Sequence, residues 1–222
     1  MAIALAQAGV KNTSGSATVS TTLVSTPTVG NIVVVVVGAN VAGSVTSMTT
    51  PATGWTTIVQ RDTDASNNVS IFARVVAVSE SSTYTASATS AGTMFLSVYE
   101  ISGAQATVAL AVSANNSNSS GATTVTTLSV GSITPTAGKN RLSINGIWYQ
   151  GGTTTAQSID GGFSIIGTGT IRGTSAHLVI ASTSGTYNPS YSWTTLRPTA
   201  TVSCMVVAVA SEVDYLPLLG VG

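Results

Sequence analysis

The fold is decided by NIVVVVVGAN, residues 31–40, in which five consecutive valines, Val33 to Val37, lie between Ile32 and Gly38. Valine favours strands, and this run is far shorter than the roughly 20 apolar residues of a membrane-spanning helix. A strand with one face in water alternates apolar and polar residues, whereas this one is apolar on both faces. We therefore expect a strand that is covered on both faces, and the covering of its second face has to be explained.

A second version of this pattern occurs later in the chain. TPTVGNIVVVVVG is followed 108 residues later by TPTAGKNRLSING, and the short segments GWTTI and GFSII have the same separation, as do MFLSVYEIS and VSCMVVAVA. The sequence thus predicts an internal repeat. The paired segments begin at Thr26 and Thr134 (134 − 26 = 108), at Gly54 and Gly162 (162 − 54 = 108), and at Met94 and Val202 (202 − 94 = 108).

The repeat aligns the valine strand with an alternating strand in the second half. Val34 and Val36 align with Leu142 and Ile144, and we interpret these four as the core face because side chains alternate along a strand. The odd-numbered valines must be covered either by a loop or terminus of the same chain or by a neighbouring subunit, since a flat apolar β surface aggregates. The residues of this other face are Val33, Val35 and Val37, and in the second half Arg141, Ser143 and Asn145, which we expect to face solvent.

Clusters of Gly, Ser, Thr and Asn interrupt the chain every dozen or so residues, and we find no convincing helix. This spacing is typical of sandwiches and barrels. We predict an all-β, jelly-roll-like β-sandwich built from two pseudo-repeated halves, which either form one sheet each or interleave their strands. The predicted parts are an N-terminal arm (1–17), a sandwich (18–211) with halves 18–112 and 124–211 and a linker (113–123), and an apolar C-terminal tail (212–222).

The chain carries very little charge. Only 6% of its residues are charged and the net charge is zero, against about 25% in ordinary soluble proteins. Nucleic acid and anionic membranes both require clustered Lys and Arg, so neither is an expected partner. An uncharged surface favours association, which predicts an assembly. The start of the chain lacks the basic region of a signal peptide, and the single cysteine, Cys204, is expected to be buried filler.

Both ends of the chain are apolar and lie outside the repeat. Terminal segments fray unless they are held, and apolar arms commonly lie across a neighbouring subunit. Together with the odd-numbered valines, they are the expected contacts with other subunits or with a capsid. The predicted contact residues are Val33, Val35, Val37, Leu216, Leu218 and Leu219.

The titratable residues form no convincing catalytic or metal site. Two aspartates in RDTDASNN have the oxygen ligands of a calcium loop but not its glycine and late glutamate, so a polar turn is preferred. A serine, a histidine and an aspartate lack a nucleophile elbow, and two isolated glutamates are no glycosidase signal. We predict no catalytic residue, no metal and no cofactor. The residues considered are Asp62 and Asp64, Ser175, His177 and Asp160, and Glu80 and Glu100.

Aromatic residues give a second functional hypothesis, since their flat apolar faces can stack on sugars. The segment GIWYQGG places Trp148 and Tyr149 next to a glycine-rich loop, where they would stand at a rim together with Tyr191 and Trp193. Trp55, by its alignment with Phe163, is expected in the core.

TPTVGNIVVVVV, PATGWTTIV, IFARVV and VYEISGA, taken in this order, resemble the concanavalin-like jelly-roll structural proteins of tailed bacteriophages. The resemblance covers roughly residues 18–211, and its motifs concern the fold. It implies a virion component: a capsid decoration (cement) protein, a head fibre or a tail-fibre module. It brings no functional residue with it, because none of a lectin's metal or sugar ligands occurs at matching positions.

These observations favour a phage capsid decoration protein. It would stabilise the shell by binding between capsid subunits, with the major capsid protein and copies of itself as partners, and a trimer would suit the local three-fold axes of a capsid. The alternative is a receptor- or glycan-binding module of a tail fibre. An enzyme such as a glycan depolymerase is the third and least favoured hypothesis.

Overall fold

The computed structural model describes residues 2–40, 46–63, 67–121, 123–134, 139–149, 157–166, 172–180 and 185–208. This part of the chain consists of antiparallel strands and one helical turn, so the prediction of an all-β sandwich is confirmed. The elements of the first half are β1 (Ala4–Thr22), β2 (Ile32–Asn40), β3 (Ser47–Thr50), β4 (Thr56–Thr63), β5 (Asn67–Val75) and β6 (Thr83–Ser102). Those that follow are α1 (Val108–Ala111), β7 (Val112–Ser119), β8 (Val125–Ser129), β9 (Arg141–Tyr149), β10 (Ser158–Ile159), β11 (Ser164–Ile166), β12 (Gly173–Ile180), β13 (Ser190–Arg197) and β14 (Thr199–Val207).

Two five-stranded sheets face each other at the centre of the molecule. The first inner sheet has the order β1-β6-β2-β5-β4 and the second inner sheet has the order β7-β14-β9-β12-β11. Between the described strands no pairing exchanges a strand between these sheets, so each half of the chain builds its own sheet. The interleaved alternative is therefore not what the chain adopts, and jelly-roll connectivity stays a prediction.

A smaller layer lies on the outer side of each inner sheet. In the first half, β1 and β6 are long enough to serve two layers: residues 4–13 and 93–102 belong to the inner sheet, and residues 18–22 and 83–87 join β3 as the first outer layer. In the second half the separate strands β8, β13 and β10 form the second outer layer. The protein is thus a sandwich of four β layers, in which the central strands β2 and β9 of the inner sheets have both faces buried.

The valine strand is covered on both faces by its own chain. Val34 and Val36 pack between the two inner sheets, as predicted from the repeat, and Val33, Val35 and Val37 pack under the first outer layer. This core between the first inner sheet and the first outer layer, here called the first outer core, also contains Val19, Leu23, Met48, Tyr84 and Ala86. All five valines are completely buried. At about 1.5–3 kcal/mol for each buried side chain, this cover is a substantial part of the folding energy.

The corresponding face of β9 is also buried, although it is polar. Arg141 and Asn145 have no exposed surface, and Ser143 is 2% exposed. The second outer layer packs against this face of β9. The prediction that these three residues face solvent is wrong. Alternation located their face correctly, but a polar face can lie against another layer as well as against water.

The centre of the molecule is a tryptophan seated on glycines. Trp148 of β9 stacks on Phe95 with ring centroids 6.3 Å apart. A Cβ atom on Gly38 of β2 would collide with the Trp148 ring and lie 2.8 Å from Phe95, and a Cβ on Gly173 of β12 would lie 2.7 Å from the same tryptophan. Only glycine lets the two inner sheets approach this closely.

Two of the predicted segment boundaries are wrong. Residues 4–13, expected in an N-terminal arm outside the sandwich (1–17), form the edge of the first inner sheet, and Ile3 is part of the central core. Residues 113–119 of the expected linker (113–123) belong to β7 at the edge of the second inner sheet. Polar residues suit an edge strand, which has one side in solvent.

The alignment of Met94 with Val202 is wrong by one residue. Met94 faces the first outer layer, whereas Val202 faces the central core, and it is Phe95 that shares the orientation of Val202. Because side chains alternate, a slip of one residue turns each side chain to the opposite face. The separation of these two strands is therefore 202 − 95 = 107 residues.

Candidate functional site

The predicted valine contacts are not accessible to a partner. Val33, Val35 and Val37 are fully buried beneath strands of their own chain, so their assignment as subunit or capsid contacts is wrong. The sequence left open whether the chain or a neighbour provides the cover, and the structure provides it within the chain. The other predicted contacts, Leu216, Leu218 and Leu219, lie outside the described residues.

The four aromatic residues proposed for sugar binding are buried as well. Trp148 lies between the two inner sheets. Tyr149, Tyr191 and Trp193 lie together between the second inner sheet and the second outer layer, with the Tyr149 and Trp193 ring centroids 4.8 Å apart. Their assignment to an exposed rim is wrong. Tyr149 follows Trp148 directly, so alternation turns the two rings into different cores.

The core between the second inner sheet and the second outer layer, here called the second outer core, contains polar atoms without hydrogen-bond partners. The Asn145 side-chain amide, the Tyr149 hydroxyl and the Trp193 Nε1 form no hydrogen bond, whereas the Tyr191 hydroxyl donates to the backbone oxygen of Asn145 at 3.2 Å. Burial raises the pKa values of Tyr149 and Tyr191 well above the ordinary value, so both phenols stay neutral. These buried atoms make a polar spot inside an aromatic core.

The structure does not assemble a hydrolase triad. The Ser175 hydroxyl accepts a hydrogen bond from Tyr99 at 2.5 Å, and His177, on the same face of β12, packs its ring edge against Tyr99. Asp160 lies next to β10 in the other layer and accepts a hydrogen bond from the Ser190 backbone at 2.8 Å. Burial lowers the pKa of His177, and its Nδ1 atom is buried without a partner.

The two glutamates considered for catalysis each hold a loop in place. Glu80 forms an ion pair with Arg74 at 3.0 Å and accepts a hydrogen bond from the Tyr84 hydroxyl at 2.8 Å. Glu100, 2% exposed, accepts hydrogen bonds from Gln7, from the Thr28 backbone and from the Asn31 amide. Both carboxylates therefore have a structural role, in which they accept hydrogen bonds from backbone and side-chain groups.

The acidic loop considered for calcium falls mostly outside the description. Asp64 and the side chain of Asp62 lie outside the part of the chain that the structure describes. Within the described ranges, no group of three or more His, Cys, Asp or Glu side chains is placed to hold a metal ion.

One end of the molecule exposes three valines on two neighbouring loops. Val24 is 95% exposed, Val29 57% and Val78 79%. The loops are joined by backbone hydrogen bonds from Leu23 to Ser82 and from Gly30 to Val76. We call Val24, Val29 and Val78 the valine end.

Glu100 holds in place the loop that carries Val24 and Val29. Its carboxylate binds the turn at Thr28 and Asn31, and Gln7 bridges Glu100 to both backbone groups of Ser25. In the turn TVGN, residues 28–31, the Asn31 N–H donates to the Thr28 carbonyl and Gly30 has a positive φ of 86°, which places Val29 at the tip. Residues 28–31 were interpreted from the sequence only as the approach to a strand, although TVGN also has the composition of a type II turn.

A cleft opens beside β3 and the turn that leads into β4. It has a volume of about 310 Å³, and Trp55 forms part of its wall. Trp55 is half-buried and packs against the first outer core, so the expectation of a core residue is only partly met. The lining residues are Thr46, Ser47, Met48, Ala52, Thr53, Gly54, Trp55, Thr57 and Phe72.

Comparison of the chain with protein-family models, with curated proteins and with solved structures finds no match. The described residues contain no helix long and apolar enough to cross a membrane.

Proposed function

We propose that the protein is a non-catalytic structural component of a virion, and specifically a decoration protein on the outer surface of a phage capsid. The observation that carries the proposal is the valine end: its apolar side chains are exposed on two loops, of which the one with Val24 and Val29 is fixed by the buried Glu100 and the one with Val78 by the buried Glu80. Exposed apolar groups on a rigid support suit a permanent contact, because little conformational freedom is lost on binding.

The rest of the molecule suits such a role. Four stacked β layers give a stiff block, and a chain with seven acidic and seven basic residues carries no net charge that would repel its copies. The resemblance of the sequence to jelly-roll structural proteins of tailed phages supports the same proposal. The proposed partners are the major capsid protein and further copies of this chain, with neither nucleic acid nor membrane involved.

The proposed contact surface is the valine end instead of Val33, Val35 and Val37. A single contact of three valines is weak, but a decoration protein repeats it over the whole shell, and linked copies gain affinity through their effective concentration. A trimer placed on a local three-fold axis would present three such ends at once.

The alternative of a tail-fibre receptor- or glycan-binding module loses the residues first proposed for it, since Trp148, Tyr149, Tyr191 and Trp193 are buried. Copy number separates the two locations. Quantitative mass spectrometry of purified virus particles, referenced to the major capsid protein, would give hundreds of copies for a capsid decoration and about a dozen for a tail component. Absence from the particle would overturn the virion proposal.

A second experiment tests the contact surface. The triple substitution of Val24, Val29 and Val78 by serine should abolish co-sedimentation with undecorated capsids while leaving the urea midpoint of the isolated protein nearly unchanged, because all three side chains are exposed. Leu196→Ser is the matched control, since Leu196 is 59% exposed on β13 of the second outer layer, in the other half of the sandwich. Binding that survives the triple substitution would exclude the valine end as the contact.

A further inference from the structure

The cleft beside Trp55 has the features of a binding site that the proposed structural role does not require. Its volume of about 310 Å³ lies at the lower end of the range of ligand sites. The buried residues Met48 and Phe72 give the cleft an apolar lining. The exposed residues Ser47, Thr53 and Thr57 add hydroxyl groups, of which that of Ser47 is hydrogen-bonded to Ser87 at 3.0 Å. An apolar lining with a few polar groups is the usual design of a small-ligand site.

The Trp55 ring is fixed before any ligand arrives. Its Nε1 atom donates a hydrogen bond to the Pro51 carbonyl at 2.9 Å, and Tyr84 packs against it at a centroid distance of 6.1 Å with the planes at 75°. The Arg74 guanidinium carbon lies 5.5 Å from the ring centroid. A partly exposed aromatic ring held on several sides offers a flat apolar face, and little freedom is lost when a ligand stacks on it.

The cleft presents no uncompensated charge. Arg74, which lies behind Gly54 and Trp55, donates to the Thr53 carbonyl at 2.7 Å and pairs with Glu80 at 3.0 Å. The two charges balance each other, and both side chains are nearly buried. A charged ligand would find no unpaired opposite charge in the cleft. A neutral ligand with many hydroxyl groups needs none, because it binds through hydrogen bonds and apolar contacts.

We propose that this cleft binds a neutral saccharide, one or two sugar rings in length. The apolar face of one ring stacks on Trp55, and the sugar hydroxyls exchange hydrogen bonds with Ser47, Thr53 and Thr57. Such a site would give a virion surface protein a weak attachment to a neutral glycan, multiplied by the number of copies. The proposal depends only on the cleft, and it stands or falls independently of where the protein is located.

The test is a titration of the full-length protein with neutral tetrasaccharides of glucose, galactose, mannose and N-acetylglucosamine, followed by tryptophan fluorescence and by saturation-transfer NMR. At least one of them should bind in the millimolar range and change the emission of Trp55, since Trp148 and Trp193 are buried. No binding by any of the four at about 10 mM, well above the millimolar range of weak single contacts, would overturn the proposal.

Variants locate the site. Trp55→Ala should weaken binding at least about tenfold, the equivalent of one lost stacking contact, and Trp193→Phe, buried in the other half, should leave it unchanged. Thr57→Val removes only an exposed hydroxyl and should weaken binding about threefold with no change in urea midpoint, so a folding defect of the tryptophan variant does not prevent a decision. Binding that is unaffected by Thr57→Val and Trp55→Ala, or binding of an apolar peptide in place of every sugar, would overturn it.

Discussion

Arg74 and Glu80 show how a chain with so few charges uses them. Their ion pair, 3.0 Å long, lies almost wholly inside the molecule, where it joins the turn before β4 to the loop after β5. The Ala77 N–H and the Tyr84 hydroxyl complete the bonding of the carboxylate, and burial together with Glu80 raises the pKa of Tyr84. Two of the chain's 14 charged residues thus secure the frame around Trp55, which the sequence could not show because the two are joined only by folding.

Removing one partner of this pair should cost more than removing both. Arg74→Met leaves a buried carboxylate without its counter-charge, which typically costs about 3–5 kcal/mol, and the double variant Arg74→Met with Glu80→Gln should lose clearly less than the sum of the single variants. Urea unfolding of the four proteins measures the coupling. Strictly additive losses would show that the two side chains act independently.

The single histidine predicts a pH dependence of stability. Burial lowers the pKa of His177 in the folded state, so the unfolded chain takes up a proton more readily, and stability is lost as the pH falls below the unfolded value of about 6.5. His177→Gln should therefore lose less stability than the native protein between about pH 7.5 and about pH 5.5. Urea midpoints at both pH values decide this, and parallel losses in the two proteins would refute it.

Burial of Cys204 agrees with its predicted role as filler. The thiol has no exposed surface, and burial raises its pKa to about 12. The same reasoning failed for Asn145, where a polar residue was expected in water. Cysteine packs inside in most settings, whereas a polar side chain on an alternating strand reports only which face it is on, not what covers that face.

At the scale of elements, the chain uses long strands where the sequence suggested ends and linkers. β1 and β6 each continue from an inner sheet into an outer layer, with irregular pairing between Thr13 and Thr18 where the ladder changes layer. In the second half the same two layers are formed by separate strands, β7 and β8, and β13 and β14. The strand patterns around Val33 and Leu142 were readable because they are buried and periodic, but edge strands of Ser, Thr and Asn look like loops in sequence.

The role of β1 can be tested directly by hydrogen exchange. Residues 4–13 pair with residues 94–102 of β6, so amide groups from Leu5 to Asn12 that point at β6 should exchange far more slowly than in an unstructured peptide. Mass spectrometry of peptides from this segment measures the effect. Exchange at the rate of a free peptide would restore the idea of a loose N-terminal arm.

At the scale of the whole molecule, the two halves share one core. Val34, Val36 and Phe95 from the first half pack with Leu142, Ile144 and Trp148 from the second. A sequence repeat alone does not tell whether two similar halves are separate domains or the two sides of one sandwich. The valine run gave the useful hint, since a strand that is apolar on both faces needs layers on both sides.

This shared core predicts a single unfolding transition. A variant that keeps only Trp55 reports on the first half, and a variant that keeps only Trp193 reports on the second, with phenylalanine at the other two tryptophan positions in each case. Their urea midpoints, followed by fluorescence, should coincide because neither half keeps its core when the other unfolds. Midpoints that differ clearly would show two domains that unfold separately.

The close packing of Trp148 against glycines has a further consequence, for the engineering of the chain. In the predicted repeat, the residue that aligns with Trp148 in the first half is Asn40 (148 − 108 = 40), so the two halves are not interchangeable at their contact. Two copies of the first half would leave the recess at Gly38 unfilled, and two copies of the second would bring two indole rings to an interface that accommodates one. Each half is therefore a specific complement of the other, and joining the two in one chain ensures that they are made in equal number.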